Sequence, residues 1–322
     1  MTVDPANETL PANCINYGRF TPRNLGMTFA YGLLLVTSLS GNFLIVIVVY
    51  KMKTMRTTIN FFIVNMAMSD LLFPVFVFPL LLTEMYVGGF GPPGKNICLV
   101  LFLLQYVSSW VSIQSLILIA VDRFLAVVFP LHSPIITSKV RPFVILTTWI
   151  VATASSFPML VFYNSMEFSE KLNCGRIWFT KYFREKYYIH VMPLNVVFKT
   201  IPFILLATLY SVILFKLKIQ TIPGERSINA EEQRVQRNRK VLKMATAILL
   251  GFAMCWMPLS IIGFLGLSLG DSEGCGRIPP FVIVAVFLNY ANCAVNPCIC
   301  FTFCRNFRQA LKGLLYQNAP GP

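Results

Sequence analysis

Two charged side chains, Asp70 and Lys199, lie inside long apolar stretches of this 322-residue chain. A charged group at the centre of a bilayer is costly, and such residues are usually functional. Lys199 is three residues before Pro202, too deep in its stretch to extend its ammonium easily to the membrane surface. We therefore expect both side chains to face a protein interior, where Asp70 meets polar neighbours and Lys199 meets an anionic or polar group.

Asp70 and Lys199 belong to a set of seven stretches that are each long enough to cross a bilayer. About 20 apolar residues span roughly 30 Å of hydrocarbon, and the backbone inside must hydrogen-bond to itself, which favours a helix. Charged residues make up 12% of the chain, against about 25% in a typical soluble domain. The sequence predicts an all-α membrane protein, a seven-transmembrane helix bundle. The stretches are Met27–Tyr50, Ile59–Leu82, Ile97–Val121, Phe143–Phe162, His190–Phe215, Met244–Leu269 and Ile278–Phe303.

The charges between these stretches predict the orientation of the chain. The loops and tail on one side carry 17 basic and four acidic residues, and those on the other side carry nine and eight. The positive-inside rule therefore predicts an extracellular N-terminus and a cytoplasmic C-terminus. Attraction to anionic membrane lipid explains the basic excess, so no nucleic-acid partner is expected. The predicted parts are an N-terminal tail (1–25), the bundle (26–303), and a short amphipathic eighth helix with a cytoplasmic tail (304–322).

The nine cysteines divide between the two sides of the predicted membrane. Four lie outside, where oxidation is possible, and allow three pairings into two disulfides. A Cys98–Cys174 bond would hold an outer loop over the bundle, and Cys14–Cys275 would then join the tail to the last outer loop. Cys293, Cys298 and Cys300 are not expected to bind a metal, because no histidine or carboxylate joins them. Asn7 begins an N-glycosylation sequon on the outer tail.

Several short motifs fall on the predicted spans in a fixed order. They are Gly41-Asn42, Asn65 to Asp70, Asp122-Arg123-Phe124, Trp149, Pro202 with Tyr210, Phe252 with Cys255-Trp256-Met257-Pro258, Asn296-Pro297, and Phe307-Arg308. Together they resemble the rhodopsin-like (class A) G-protein-coupled receptors, and in particular the neuropeptide-receptor group, over about residues 26–315. Clustered histidines and carboxylates typical of a membrane enzyme, and the repeated halves typical of a transporter, are missing from the sequence, so neither function is expected.

The resemblance implies a polar network and a set of switch residues. The network comprises Asp70, Asn42, Ser112, Asn292 and Asn296, which in the family hold a sodium ion; a hydrogen-bond hub without an ion is the alternative. No other cofactor is expected. The switch residues are Asp122, Arg123, Tyr210, Phe252, Pro258, Pro297 and Cys300. Cys300 is a departure, because the family carries a tyrosine there, and a thiol is a weak hydrogen-bond donor.

The ligand class is predicted mainly from what the sequence lacks. Amine receptors carry an aspartate where this chain has Gln105, and opsins carry a lysine where it has Tyr290. We therefore expect an extracellular peptide, with an anionic lipid or other small acid as the alternative. The predicted ligand-binding residues are Gln105, Lys199, Trp256, Glu84 and Tyr290. Lys199 pairs with an acidic group of the ligand in one hypothesis and packs against polar groups such as Asn195 in the other.

The resemblance also implies the partners and the location of the protein. A heterotrimeric G protein is the expected cytoplasmic partner, and an arrestin is a second candidate. The expected location is the plasma membrane, with membrane lipid around the bundle.

Overall fold

The computed structural model describes residues 22–87, 94–129, 136–164, 192–219, 228–264 and 280–317. All regular secondary structure in these ranges is helical. We number the α-helices in chain order: α1 (Pro22–Lys51), α2 (Thr58–Asp70), α3 (Phe78–Val87), α4 (Gly94–Val128), α5 (Arg141–Asn164), α6 (Met192–Asn195), α7 (Ile201–Ile219), α8 (Ile228–Phe264), α9 (Pro280–Phe303) and α10 (Arg305–Gln317).

The seven predicted spans correspond to seven helical segments. Six segments of the described chain are long and apolar enough to cross a membrane, and α5 is not among those six. At 24 residues α5 still exceeds the length that a crossing needs. Its large apolar side chains Phe143, Ile150 and Phe157 are at least 59% exposed in the isolated chain, which is the surface that lipid would cover. The first helix begins at Pro22, a few residues before the predicted boundary.

Two of the spans are interrupted by a wide π-helical turn, a feature that the sequence analysis did not predict. Phe73–Val77 joins α2 to α3, and Val196–Thr200 joins α6 to α7. At the end of the second turn the Ile201 N–H bonds to the carbonyl of Val196, five residues earlier. Pro202 follows and has no backbone N–H, so the usual helical hydrogen bond to the carbonyl four residues earlier cannot form there. This turn contains Lys199, and such turns frequently occur at functional sites.

Helix α9 lies close to α1 and to α8. A Cβ atom added to Gly41 of α1 would be 2.7 Å from Cβ of Pro297, and one added to Gly251 of α8 would be 2.7 Å from Cγ1 of Val295. Both distances are too short for a real Cβ contact. The two glycines therefore allow α1 and α8 to approach α9, the helix that carries the Asn-Pro motif.

The end of the bundle that contains Arg123 has two further helical features. Helix α8 begins at Ile228, so the charged segment before the predicted sixth span is helical and continuous with that span. Helix α10 confirms the predicted amphipathic eighth helix: its apolar residues Phe307 and Ala310 are buried, while its basic residues are exposed. Arg308 donates hydrogen bonds to the carbonyls of Phe301 and Thr302, which holds α10 against the end of α9.

Candidate functional site

A concave pocket, partly open to solvent, lies between α4, α8, α9 and the wide turn in the fifth span. Three of the predicted ligand-binding residues, Gln105, Lys199 and Trp256, line it together. The other described lining residues are Tyr106, Asn195, Leu259, Ser260 and Asn289. A concave pocket with a few convergent polar groups is the usual form of a ligand site, so the cavity is the candidate binding site.

The ammonium of Lys199 lies over aromatic rings. Its Nζ is 3.8 Å from the centre of the Trp256 ring and 5.2 Å from that of Tyr106. Within the described part of the chain no carboxylate lies at ion-pair distance from it. A cation–π contact stabilises by roughly 0.5–2 kcal/mol, less than a well-formed ion pair with hydrogen bonds. Asn195, one of the two predicted partners of Lys199, lines the same cavity.

Gln105 and Asn289 join α4 to α9 across the cavity. Gln105 Nε2 donates a hydrogen bond of 3.1 Å to Asn289 Oδ1. The Nδ2 group of Asn289 and the Nε1 group of Trp256 are buried, and neither has a hydrogen-bond partner. Sequence reasoning missed Asn289, although its spacing was a usable signal. Asn289, Asn292 and Asn296 follow at i, i+3 and i+7, which places them on one helix face.

Of the other two predicted ligand-binding residues, Tyr290 does not line the cavity, and the side chain of Glu84 lies outside the described residues. Tyr290 packs in an aromatic cluster with ring centres 6.0–6.3 Å apart, formed with Tyr31, Phe73 and Phe78. The backbone of Glu84 is in α3. Binding of the ligand by Tyr290 and Glu84 stays a prediction.

Cys98, near the start of α4, forms a disulfide. The other cysteines of the described ranges are free thiols, namely Cys255, Cys293, Cys298, Cys300 and Cys304. The partner of Cys98 is therefore one of the three cysteines outside the described residues, Cys14, Cys174 and Cys275. Oxidation of Cys98 agrees with the predicted division of the cysteines, and the pairing with Cys174 stays a prediction, as does glycosylation of Asn7.

Asp70 is fully buried in the middle of the bundle. Its two oxygens accept hydrogen bonds from Ser112 Oγ at 3.0 Å and from Asn296 Nδ2 at 2.8 Å. Ser69 shares a further hydrogen bond with Ser112. The structure therefore brings together three of the five predicted network residues on α2, α4 and α9.

The other two network residues, Asn42 and Asn292, do not bond to Asp70. Asn42 Nδ2 donates to the carbonyl of Cys293 at 2.9 Å and to Ser38, so it joins α1 to α9. Three amide oxygens of the network are buried without a hydrogen-bond partner; they belong to Asn42, Asn292 and Asn296. Carboxylate and amide oxygens are the ligands that hard cations prefer, so this donor set fits a small cation.

Arg123 and Asp122 form an ion pair at the far end of α4. Arg123 donates from Nη2 at 2.5 Å and from Nε at 3.1 Å to Asp122 Oδ2. Tyr210 is buried, and its hydroxyl has no hydrogen-bond partner. Cys300 is also fully buried. The tyrosine hydroxyl that the resemblance implied at position 300 is therefore replaced by a buried thiol.

Phe252 and Trp256 connect the cavity to the rest of α8. The two rings stack with centres 5.7 Å apart and an angle of 26° between their planes. Pro258 lies inside α8 and Pro297 inside α9, and a proline removes one helical hydrogen bond. Each of the two helices can therefore bend close to the functional residues.

A second buried network, around Asn65, ties α2, α4 and α5 together. Trp149 Nε1 donates to Asn65 Oδ1 at 2.8 Å, and Asn65 Nδ2 donates to Ser115 and Thr148. The sequence analysis noted Asn65 and Trp149 as motif residues without predicting this contact. It fixes the three helices beside the polar centre.

Residues 41–299 match the family model described as "7 transmembrane receptor (rhodopsin family)". The chain belongs to this receptor family. Its function is therefore that of a receptor and not of an enzyme, and the match confirms the predicted seven-transmembrane bundle.

The relatives of this receptor include several proteins named as peptide receptors. The chain is 28% identical to the RYamide receptor of Drosophila melanogaster over 291 residues, which cover 88% of this chain and 61% of the relative. It is 30% identical to the allatostatin-A receptor of Bombyx mori over 303 residues, covering 90% and 79%. It is 30% identical to neuropeptide FF receptor 2 of Mus musculus over 314 residues, covering 92% and 74%.

Proposed function

We propose that this receptor is activated by an extracellular peptide and signals through a heterotrimeric G protein. The observation that carries the proposal is the similarity, over about nine tenths of the chain, to receptors named for peptides. The alternative ligand, an anionic lipid or other small acid, has no such support among these relatives.

The peptide is proposed to bind in the cavity that Gln105, Lys199 and Trp256 line. Contact there would act on the stack of Trp256 and Phe252 and bend α8 at Pro258. The Arg123 end of the bundle would then open to the G protein. Binding shifts an equilibrium between two arrangements of the bundle only as far as the peptide prefers one of them. An arrestin is a second proposed partner at the same end.

The proposed orientation has the N-terminus outside the cell and the C-terminus in the cytoplasm of a plasma-membrane protein. The distribution of basic residues supports it, and so does the oxidised state of Cys98, because disulfides persist in oxidising compartments. The cavity and Cys98 would then lie towards the outside, and Arg123 towards the cytoplasm.

A sodium ion is proposed as an allosteric ligand at Asp70. The three unpartnered amide oxygens of Asn42, Asn292 and Asn296 support this site. Asp70 would supply the charge and Ser112 a further oxygen. The role of the ion would be to stabilise one arrangement of the bundle.

A screen on cells tests the peptide proposal. Cells that express the full chain are treated with a peptide library and, in parallel, with a panel of acidic lipids. Several G-protein reporters, each specific for one subtype, record the response. We expect at least one peptide to activate one reporter and an Arg123→Ala variant at equal surface expression to give no response. Activation by lipids and by no peptide would contradict the proposal.

A further inference from the structure

We propose that the cavity contains a carboxylate subsite in which Lys199 is the anion-binding residue. It rests on the proposed function in one respect, namely that the molecule which carries the carboxylate is a peptide. The carboxylate would come from a free C-terminus or from an Asp or Glu side chain. The geometry of the cavity supports the subsite itself.

The charge of the cavity favours an anion. Among the described lining residues Lys199 is the one charged group, and no acid accompanies it. The Trp256 ring lies 3.8 Å from the Lys199 ammonium and is a neutral partner for it. A carboxylate forms charge-assisted hydrogen bonds with an ammonium, and these are stronger than contacts to a neutral acceptor. An anion that enters the cavity therefore competes effectively with the ring for Lys199.

The hydrogen-bond donors of the cavity favour a carboxylate over an amide. Asn289 Nδ2 and Trp256 Nε1 are buried N–H groups without an acceptor, and the Lys199 ammonium carries three N–H donors. A carboxylate offers two oxygens with about four acceptor positions and no donor. A terminal amide offers one oxygen, and its NH₂ group would add donors to a site that already has an excess of them.

The position of Lys199 links this subsite to the switch residues. The wide turn Val196–Thr200 carries Lys199, whose ammonium contacts Trp256, and Trp256 stacks on Phe252 at 5.7 Å. An anion bound to Lys199 removes the cation–π contact from the Trp256 ring. The ring then loses one of the contacts that hold it in place, so carboxylate binding acts directly on the stack in α8.

The first experiment uses a matched pair of small probes, 3-phenylpropanoate and 3-phenylpropanamide, on the purified full-length receptor in lipid nanodiscs. A thiol-reactive dye follows thermal unfolding, because the buried free thiols of Cys255, Cys293 and Cys300 become accessible when the bundle opens. We expect the carboxylate at saturation to raise the unfolding midpoint by about 2 °C or more. We expect the amide to leave it unchanged.

Variants of two neighbouring residues assign the effect to Lys199. Lys199→Met keeps the length of the side chain and removes the charge, so the shift should disappear, whereas Lys199→Arg should retain it. Thr200→Ala is the matched control, because Thr200 is exposed on the same turn; it should retain the full shift. Equal shifts with both probes, or a shift that survives in Lys199→Met, would overturn the carboxylate subsite.

The second experiment uses peptides as matched pairs with a free or an amidated C-terminus, with and without acidic side chains. For a peptide that activates the wild-type receptor, we expect loss of its carboxylate to lower potency by roughly 10- to 100-fold. The same loss should have little effect on Lys199→Met. Equal potency of acid-bearing and acid-free peptides would overturn the subsite while leaving the peptide proposal intact. If no peptide activates, the peptide proposal fails, and the probe experiment still decides the subsite.

Discussion

Among the described residues, buried polar atoms without hydrogen-bond partners occur in the predicted polar network and in the cavity. In the polar centre both oxygens of Asp70 accept hydrogen bonds, whereas the amide oxygens of Asn42, Asn292 and Asn296 accept none. Each unsatisfied buried group costs about 1–3 kcal/mol. The amide oxygens support the proposed cation site, because a bound cation would coordinate them.

The sodium proposal predicts a salt-specific stabilisation of the receptor. Replacing N-methylglucamine chloride by sodium chloride at equal ionic strength should raise the unfolding midpoint of the wild-type protein by about 2 °C or more, because a bound ion stabilises the folded state. Asp70→Asn removes the charge and should abolish this difference. A sodium effect of the same size in Asp70→Asn would contradict the site.

The replacement of the family tyrosine by Cys300 predicts a gain of signalling on reversion. Cys300→Tyr would supply a hydroxyl towards Tyr210, whose own hydroxyl is buried without a partner, and should raise ligand-stimulated G-protein activation at equal surface expression. Cys298→Tyr is the matched control, because Cys298 lies two residues earlier and is exposed; it should leave signalling unchanged. Unchanged or lower signalling from a well-expressed Cys300→Tyr variant would contradict this role.

At the scale of helices, the close approach of α1 to α9 fixes the position of the Asn-Pro motif. Gly41 faces Pro297 with no room for a Cβ atom, and Asn42 beside it bonds to the carbonyl of Cys293. The helix that carries Pro297 is therefore held from one side by a steric and a polar contact. On its other side α9 packs against α8, where Gly251 likewise leaves no room for a Cβ atom.

Gly41→Ala is predicted to destabilise the receptor by about 1–3 kcal/mol, because the added methyl overlaps Pro297 and forces the helices apart. Gly32→Ala on the same helix is the control, since a Cβ there meets no atom within 4 Å, and alanine is the better helix former. Thermal unfolding of the two purified variants measures the difference. The prediction is wrong if both variants unfold at the wild-type midpoint.

The sequence predicted the helices better than their irregularities. Apolar length alone located all seven spans, although the helix of the sixth span also includes the charged stretch before Met244. The wide turns Phe73–Val77 and Val196–Thr200 were not predicted, because a proline indicates a distortion without indicating which carbonyl accepts the displaced N–H. The position of Lys199 over Trp256 depends on one of these turns, so the sequence could not provide it.

The contacts of Asp70 were implied by the family resemblance, whereas the packing of Tyr290 was not predicted. Asp70 bonds to Ser112 and Asn296, two of the residues that the resemblance placed near it. Tyr290 was predicted to bind the ligand; its ring packs in the aromatic cluster with Tyr31, and ligand binding by this residue stays a prediction. Helix rotation decides which neighbours a side chain contacts, and hydrophobicity alone does not determine the rotation of a helix that is apolar on most faces.

At the scale of the whole molecule, the cavity, Asp70 and Arg123 follow one another along α4 and its neighbours. The proposed orientation predicts that an epitope tag at residue 1 is stained on intact cells and that one at residue 322 is stained only after permeabilisation. The odd number of spans and the excess of basic residues on one side are the reasons. Staining of both tags on intact cells would contradict the orientation.

The central claim is that the bundle couples the cavity at Lys199 to a G-protein surface at Arg123. Peptide-stimulated nucleotide exchange on a purified G protein, measured with the wild-type receptor and with Arg123→Ala, tests it most directly. The account predicts that both proteins bind the activating peptide and that exchange falls to the unstimulated rate with Arg123→Ala. Full stimulation by Arg123→Ala, or peptide binding to the wild-type receptor that never accelerates exchange on any G-protein subtype, would contradict the account.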